Sequence, residues 1–300
     1  MKQQKALAIM AAGLGSRFGS LKQLHYITPN YYSIIDFSIY DAIQVGFNTI
    51  ILILREEILN EFKDRYENKF DASITIVYVI QDTKNIPTKY KHLRKKPWGT
   101  GHALLTLKEV ITNNFALINA DDFYGRSAFT KMYGALFNSK TRNSNFFLGY
   151  ALKNTLSSNG TVSRGECVID NNDLLIDINE RTEIKKLSSG IITYINAENN
   201  NIILPSETIV SMNFWGFSPK IFEIATKQFN QFLETSEIGE KTEFYIAKIV
   251  DYTIKNNLMS FKMLSTASQW YGITYKSDID SVSKSISELI KQNVYPKELW

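Results

Sequence analysis

Three stretches of this 300-residue chain carry residue types at spacings that phosphate chemistry uses. In Ala6 to Leu24, ALAIMAAGLGSRFGSLKQL, an uncharged run (Ala6, Leu7, Ala8, Ile9, Met10, Ala11) stops at Gly13, Gly15 and Gly19, with Arg17 and Lys22 among the glycines. Glycine admits positive φ and close approach, so such a turn can aim backbone N–H groups at an anion. Two cations in the same loop point to a polyphosphate. In Phe115 to Gly125, FALINADDFYG, an apolar strand delivers Asn119, Asp121 and Asp122 to its carboxyl end. Adjacent carboxylates repel unless a cation or solvent lies between them. Mg²⁺ is the natural occupant, because it takes one or two protein carboxylates and completes its shell with phosphate and water. The third stretch is Pro97 to Ala103, PWGTGHA, a glycine-bounded loop leading into a helix.

Two familiar glycine loops do not fit. A dinucleotide fingerprint needs G-x-G-x-x-G, and Phe18 stands where the third glycine belongs, with Gly19 one place late. A P-loop needs G-x-x-x-x-G-K followed by Ser or Thr, whereas Lys22 follows Leu21 and precedes Gln23.

The elements that would position these residues alternate. After the glycine turn, Ser33 to Gly46 reads as a helix, Thr49 to Leu54 as a strand, Glu56 to Tyr66 as a helix and Ser73 to Ile80 as a strand. Ala103 to Val110 reads as a helix and Phe115 to Ile118 as a strand. Strand, helix and strand in this order make a doubly wound α/β layout with a parallel sheet, in which ligands sit at the carboxyl ends of strands. From about Phe146 shorter strands follow, at Phe146–Leu152, Gly165–Ile169, Leu175–Ile178, Ile191–Asn196 and Val210–Phe217, read as an antiparallel insertion with a turn at Asn196–Asn201. Helices return at Pro219–Glu234 and Glu243–Asn256, then a strand at Ser260–Leu264 and a helix at Val282–Gln292. The expectation is one domain over 1–300, with a nucleotide half at 1–145 and an acceptor half at 146–300. There is no hexapeptide repeat that would add a β-helix.

Composition bounds the rest. With 44% hydrophobic residues the chain can bury a large core, and a net charge of +4 is too mild to argue for nucleic acid. Cys167 is the only cysteine, which excludes an intrachain disulfide and a cysteine metal cluster. Lys2 and Lys5 before an apolar run imitate a signal peptide, but a phosphate motif follows instead of a cleavage site. No apolar stretch reaches the length of a membrane span. The expectation is a cytoplasmic protein that binds neither membrane nor nucleic acid. The basic run Lys89 to Lys96, KYKHLRKK, is open between a solvated loop and a patch that steers a triphosphate.

Ala11, Ala12, Gly13, Gly15, Ser16, Arg17 and Lys22 match, position by position, the A-A-G-x-G-[ST]-R signature with its following lysine that opens the sugar-1-phosphate nucleotidyltransferases. The chain resembles that family over most of its length. The resemblance implies a Rossmann-like, glycosyltransferase-A-like mixed sheet with a smaller antiparallel substrate-binding insertion, and Mg²⁺ as cofactor. It implies that Ala11, Ala12, Gly13, Gly15, Ser16 and Arg17 hold the triphosphate, that Arg17 grips the leaving pyrophosphate, and that Lys22 neutralises the α-phosphate region. It implies Mg²⁺ on Asp121, with Asp122 as a turn residue. PWGTGHA resembles the family segment that reads the nucleobase, which assigns Gly99, Thr100 and Gly101 to the base. Pro97 stands where uridylyltransferases have glutamine, so Gln81 becomes the candidate substitute. His102 reads as structural.

Leu175 to Lys186, LIDINERTEIKK, resembles the family strand ending in Glu-Lys, placing Glu180 on sugar hydroxyls and Arg181 on phosphate. Asn119, Ser211 and Asn213 are further acceptor contacts, with Trp215 as core. A second metal carboxylate aligns with Thr274, so Asp278 or Asp280 is the candidate, Asp278 taken first. The expected reaction is transfer of a nucleoside monophosphate from a nucleoside triphosphate, UTP or CTP favoured, to a sugar 1-phosphate. Two other readings stay open: transfer to phosphocholine inside a cage of Trp98, Trp215, Tyr271 and Glu180, and a non-catalytic nucleotide-binding protein. Base, sugar and oligomeric state are open.

Overall fold

The structure, a computed structural model, describes residues 3–13, 22–84, 86–92, 94, 96–138, 144–157, 159–196, 198–235, 237–239, 242–266 and 268–300, the side chain of Lys22 excepted. Strand β1 (Ala6–Met10), helix α1 (Ile34–Val45), β2 (Thr49–Leu54), α2 (Leu59–Tyr66) and β3 (Thr75–Ile80) open the chain. Two short helices, α3 (Thr88–Lys91) and α4 (Thr100–Leu105), lead to β4 (Phe115–Asn119), β5 (Asp122–Phe123) and α5 (Arg126–Tyr133). Then come β6 (Asn145–Ala151), β7 (Val162–Ile169), β8 (Leu175–Lys186), β9 (Ile192–Ile195), β10 (Asn201–Leu204) and β11 (Ile209–Phe217). Helices α6 (Ile221–Thr235) and α7 (Ile246–Lys255), strands β12 (Phe261–Leu264) and β13 (Tyr271–Gly272), and α8 (Asp278–Lys291) complete the order.

Strands β3, β2, β1 and β4 lie side by side and parallel. The sheet continues with β11 antiparallel to β4, β6 antiparallel to β11, and β12 parallel to β6. Both faces are covered, which is why these strands read as unbroken apolar runs. Leu7 and Ile9 pack with Ile35 and Ile39 of α1 and Phe62 of α2, whereas Ala6 and Ala8 pack with Leu104 of α4, Phe222 of α6 and Ile249 of α7. Strands β7 to β10 form an antiparallel meander joined to the centre where Ile209–Ser211 of β11 pairs with Gly165–Cys167.

The structure moves several elements from their expected places. Helix α4 starts earlier than Ala103, at Thr100, and turns replace it after Leu105. Strand β8 runs on to Lys186. Strand β6, expected in the antiparallel insertion, belongs to the central sheet. Its neighbours Phe146 and Phe147 enter the apolar clusters on opposite faces, which only a strand covered on both sides allows.

Candidate active site

Parallel strands in register end together. Met10 stands opposite both Ile53 and Asn119, and Leu54 opposite Ile80. The residues that follow, Ala11 to Gly13, Arg55, Gln81 and Asp121, therefore share one sheet edge, where doubly wound sheets bind ligands. A cavity of about 410 Å³ opens there, lined among others by Ala12, Gly13, Gln81, Gly99, Thr100 and Asp121. The turn after β1 is held from two sides. The Gln23 amide donates to the carbonyls of Ala11 (3.1 Å) and Gly13 (3.0 Å), and Arg55 Nε donates to that of Ala12 (3.0 Å). Of the residues expected to hold the triphosphate, Gly15, Ser16, Arg17 and the Lys22 side chain lie outside the described residues.

The second wall is the loop before α4. Gly99 takes φ 98° and ψ 179°, and a Cβ there would lie 2.6 Å from the Phe244 carbonyl oxygen. Phe244 N–H donates to the Trp98 carbonyl (3.0 Å), and Gly101 N–H donates to that of Phe244 (2.8 Å). The loop is thus stitched to the segment entering α7, and Thr100 Oγ1 accepts the Ile246 N–H at the start of that helix (3.1 Å). Gly99 and Thr100 line the cavity. Gly101 does not, which corrects its assignment to the base: a Cβ there would lie 2.6 Å from the Phe244 ring, so its glycine is a packing requirement.

Gln81 donates to the Gly99 carbonyl (3.0 Å) and lies 3.4 Å from His102 Nδ1. His102 is buried, and desolvation lowers its pKa to about 4, a neutral structural imidazole. Within the basic run, Arg94 is a clamp. Only 2% exposed, it donates to the carbonyls of Pro97 (2.8 Å), Thr242 (2.6 Å) and Gly239 (3.3 Å) and reaches Glu243 (3.4 Å).

A smaller cavity of about 110 Å³ adjoins the first, and Asn119, Asp121 and Asn213 line both. Asp121 is half-buried at the junction. Asp122 is buried and accepts from Asn119 Nδ2 (2.9 Å), with the Tyr124 hydroxyl 3.1 Å away and 2.7 Å from the Met212 carbonyl. It ties the end of β4 to β11, a turn role. Pairing of β11 shifts between Ser211 and Trp215, and Asn213 at this bulge has φ 57°. Asparagine tolerates that conformation better than most side chains. Ser211 Oγ accepts the Asn213 N–H (3.2 Å), and the Trp215 indole donates to Asn213 Oδ1 (3.3 Å). Trp215 is fully buried, stacked on Phe217 with ring centres 5.8 Å apart.

Glu180 lines the smaller cavity. Desolvation raises its carboxyl to about 7, opposed by the Arg164 guanidinium. Arg181 does not line it. Successive side chains on a strand point to opposite faces, and Arg181 donates to Glu166 (2.7 Å) and lies over the Tyr194 ring (4.7 Å). The cation in the cavity wall is instead Arg164, on β7, which the sequence reading does not single out.

Asp278 is a second correction. Its carboxylate accepts from the backbone of Thr274 (2.9 Å) and Tyr275 (2.7 Å), from Ser157 Oγ (3.0 Å) and from Asn159 Nδ2 (2.7 Å). Four donors occupy it, and it lines neither cavity that Asp121 lines; Thr274 lines the smaller one. The residues offered for a quaternary-ammonium cage do not converge either. Trp98 is fully buried against Phe229, and Tyr271 packs on Phe123 and does not line the cavity that Glu180 and Trp215 line.

Among the described residues no three His, Cys, Asp or Glu side chains gather into a metal cage. One half-exposed carboxylate beside a cavity suits a cation that draws most of its shell from phosphate and water.

Solved structures of the same architecture are numerous. An inositol-1-phosphate CTP transferase from T. maritima superposes with a TM-score of 0.64 at 10% identity, covering 96% of this chain and 97% of its own. A glucose-1-phosphate thymidylyltransferase from Bacillus anthracis, in complex with sucrose, gives 0.62 at 15% identity, covering 93% and 95%. A UDP-glucose pyrophosphorylase complexed with UDP-glucose gives 0.59 at 17% identity, covering 95% and 99%. At these identities the likeness establishes the fold, a mixed α/β sheet of the glycosyltransferase-A-like kind. Compared by sequence with curated proteins, the chain matches none. The family model described as nucleotidyl transferase matches residues 6–285, from the first strand through most of the last helix, and the chain therefore belongs to the nucleotidyl transferase family.

Proposed function

We propose that the protein transfers a nucleoside monophosphate from a nucleoside triphosphate to a sugar 1-phosphate or a similarly phosphorylated polyol, releasing pyrophosphate. The observation that carries this reading is the pair of adjoining cavities that meet at Asn119, Asp121 and Asn213. Two phosphorylated reactants in those cavities would bring their phosphates to a common wall. The larger cavity, with its glycine turn and the 97–100 loop, suits a nucleotide. The smaller one, with Glu180 and Ser211, suits hydroxyls.

The acceptor phosphate is already an anion, so the reaction needs no protein nucleophile and no general base. The chain's own contribution is positioning and charge. Loop 97–100, fixed by Arg94 and Phe244, would set the base; Ser211 and Asn213 would orient the acceptor; Arg17 and Lys22 would meet the triphosphate. Asp121 would hold Mg²⁺, which when bound supplies charge neutralisation between phosphates. UTP or CTP is the favoured donor, with Gln81 the residue nearest to reading it. The scattered positions of Trp98 and Tyr271 weigh against a choline-type acceptor.

Pyrophosphate release tests this, measured with Mg²⁺ for UTP, CTP, GTP, ATP and dTTP against a panel of sugar 1-phosphates, inositol 1-phosphate and phosphocholine. Release that requires one nucleotide and one sugar or polyol phosphate together is expected. Release with phosphocholine alone, or with nucleotide and no acceptor, would overturn the proposal.

A further inference from the structure

This inference rests on the reading that the smaller cavity receives the acceptor. Behind that cavity lies another, of about 280 Å³, and the two share Arg164 and Thr274 as a common wall. Asn119, Asp121 and Asn213 form the boundary with the nucleotide cavity. The smaller cavity thus touches the nucleotide cavity along one set of residues and the rear cavity along another. A phosphate that meets the nucleotide belongs at the Asp121 boundary, and Arg164 belongs to the other one.

Arg164 is 9% exposed. Its guanidinium carbon lies 5.0 Å from the centre of the Trp270 ring. Nη1 donates to the Ser163 carbonyl (2.7 Å), and Nε (3.2 Å) and Nη2 both donate to that of Thr155. Five N–H donors in a planar fork leave one on each terminal nitrogen after these bonds. Among the described residues Arg164 forms no ion pair; Asp122, Glu180 and Asp121 act on it from longer range. Those three carboxylates balance its charge without bonding it directly, and the two N–H groups left over suit a carboxylate.

The rear space adds a second orphan donor. Trp270, 7% exposed and lining it, keeps its indole N–H buried and without a partner. The carboxylate nearby, Asp278, is already satisfied by four donors, and at the shared wall Thr274 brings a hydroxyl instead of a charge.

We infer that the end of the acceptor cavity remote from the nucleotide recognises a carboxylate, through Arg164, so that the preferred acceptor is a sugar 1-phosphate bearing an acid group on its ring, a uronic acid 1-phosphate. The acid and the reacting phosphate then meet different walls of one cavity. Arg164 is a specificity-determining residue, distinct from the groups at the phosphate junction.

The test compares matched acid and neutral acceptors, glucuronic against glucose, galacturonic against galactose and mannuronic against mannose 1-phosphate. Calorimetric Kd and steady-state KM are both measured, for the wild type, R164K and R164M. For at least one pair, the wild type is expected to bind the acid tenfold or more tightly than its neutral partner. R164M should bring that ratio within twofold, while R164K keeps part of it. Equal binding within all three pairs overturns the inference, as does an undiminished ratio in R164M. An equal loss for acid and neutral acceptors in R164M also overturns it, because it would put Arg164 on the shared phosphate. Should R164M not fold, the wild-type ratio and R164K decide. Tighter acid binding with no transfer in any pair would sink the transferase reading and leave this inference standing.

Discussion

Replacing Gly99 by alanine tests how the nucleotide wall is built. The residue has φ 98° and ψ 179°, a region open essentially to glycine alone, and forcing another residue there costs roughly 1–3 kcal/mol. The added Cβ would also lie 2.6 Å from the Phe244 carbonyl oxygen and 2.9 Å from its nitrogen. Both are backbone atoms that cannot swing aside, and overpacking of this kind costs roughly another 1–3 kcal/mol. The sum is about 4 kcal/mol. For a chain of this size each kcal/mol lowers Tm by about 2 °C, so a fall of about 8 °C is expected. The assay is thermal unfolding followed by fluorescence, with nucleotide KM measured below the transition. Gly134→Ala is the control. Gly134 has helical φ −58° and ψ −43° with nothing within 4 Å of its Cβ position, so alanine there should be neutral or stabilising by about 0.4–1 kcal/mol. If Gly99→Ala melts with the wild type and keeps its nucleotide KM, the stitching of loop 97–101 to Phe244 is not what shapes the site.

Other expectations follow from the same structure. Asp121→Ala should lower turnover by two orders of magnitude or more, the effect of about 3–4 kcal/mol of lost transition-state charge stabilisation, with Tm within a few degrees of wild type; retained turnover would remove Asp121 from the reaction. Asp278→Ala should do the reverse, lowering Tm clearly by releasing four donors while leaving the Mg²⁺ concentration dependence of turnover unchanged, and a shifted dependence would restore Asp278 as a metal ligand. Glu180, with its carboxyl raised to about 7 from an ordinary 4.5, makes the folded state hold a proton that the unfolded state has released. Wild-type stability measured by urea unfolding should therefore fall relative to Glu180→Gln as pH rises from 4.5 to 7; a difference constant with pH would contradict the desolvated carboxyl. Arg94→Met, which leaves the carbonyls of Pro97, Gly239 and Thr242 without their donor, should destabilise by about 2–4 kcal/mol and raise nucleotide KM, and an unaltered KM would detach the clamp from the site.

Much of the framework is legible in the sequence because its signals are local. An apolar run that stops at Gly13 announces a buried strand and its turn, and FALIN before Asp121 announces another. The family signature at Ala11 to Lys22 adds the class of chemistry. What escapes is set by contacts between distant segments. Glu180 and Arg181 are neighbours in the chain, and only the pairing of β8 with β7 decides that one faces the smaller cavity and the other faces Glu166. Gly101 sits inside a motif that suggests the base, yet its glycine answers to Phe244, well over a hundred residues away. Asp278 looks like a spare carboxylate until Ser157 and Asn159 come to it. Arg164 stands in a polar stretch, VSRGE, that reads as an ordinary strand, and nothing near it in sequence predicts burial beside Trp270. A basic residue between small ones on a strand next to a glycine is the faint signal that was there.

Two adjoining cavities that receive the two halves of one product fix where each half must lie when bound. A crystal structure with the nucleotide sugar formed in the release assay tests this most directly. The base is expected against Gly99, Thr100 and Gln81, the sugar against Glu180 and Ser211, and the diphosphate across the boundary at Asp121 and Asn213. A product held wholly within one cavity, or with its diphosphate away from Asp121, would contradict it.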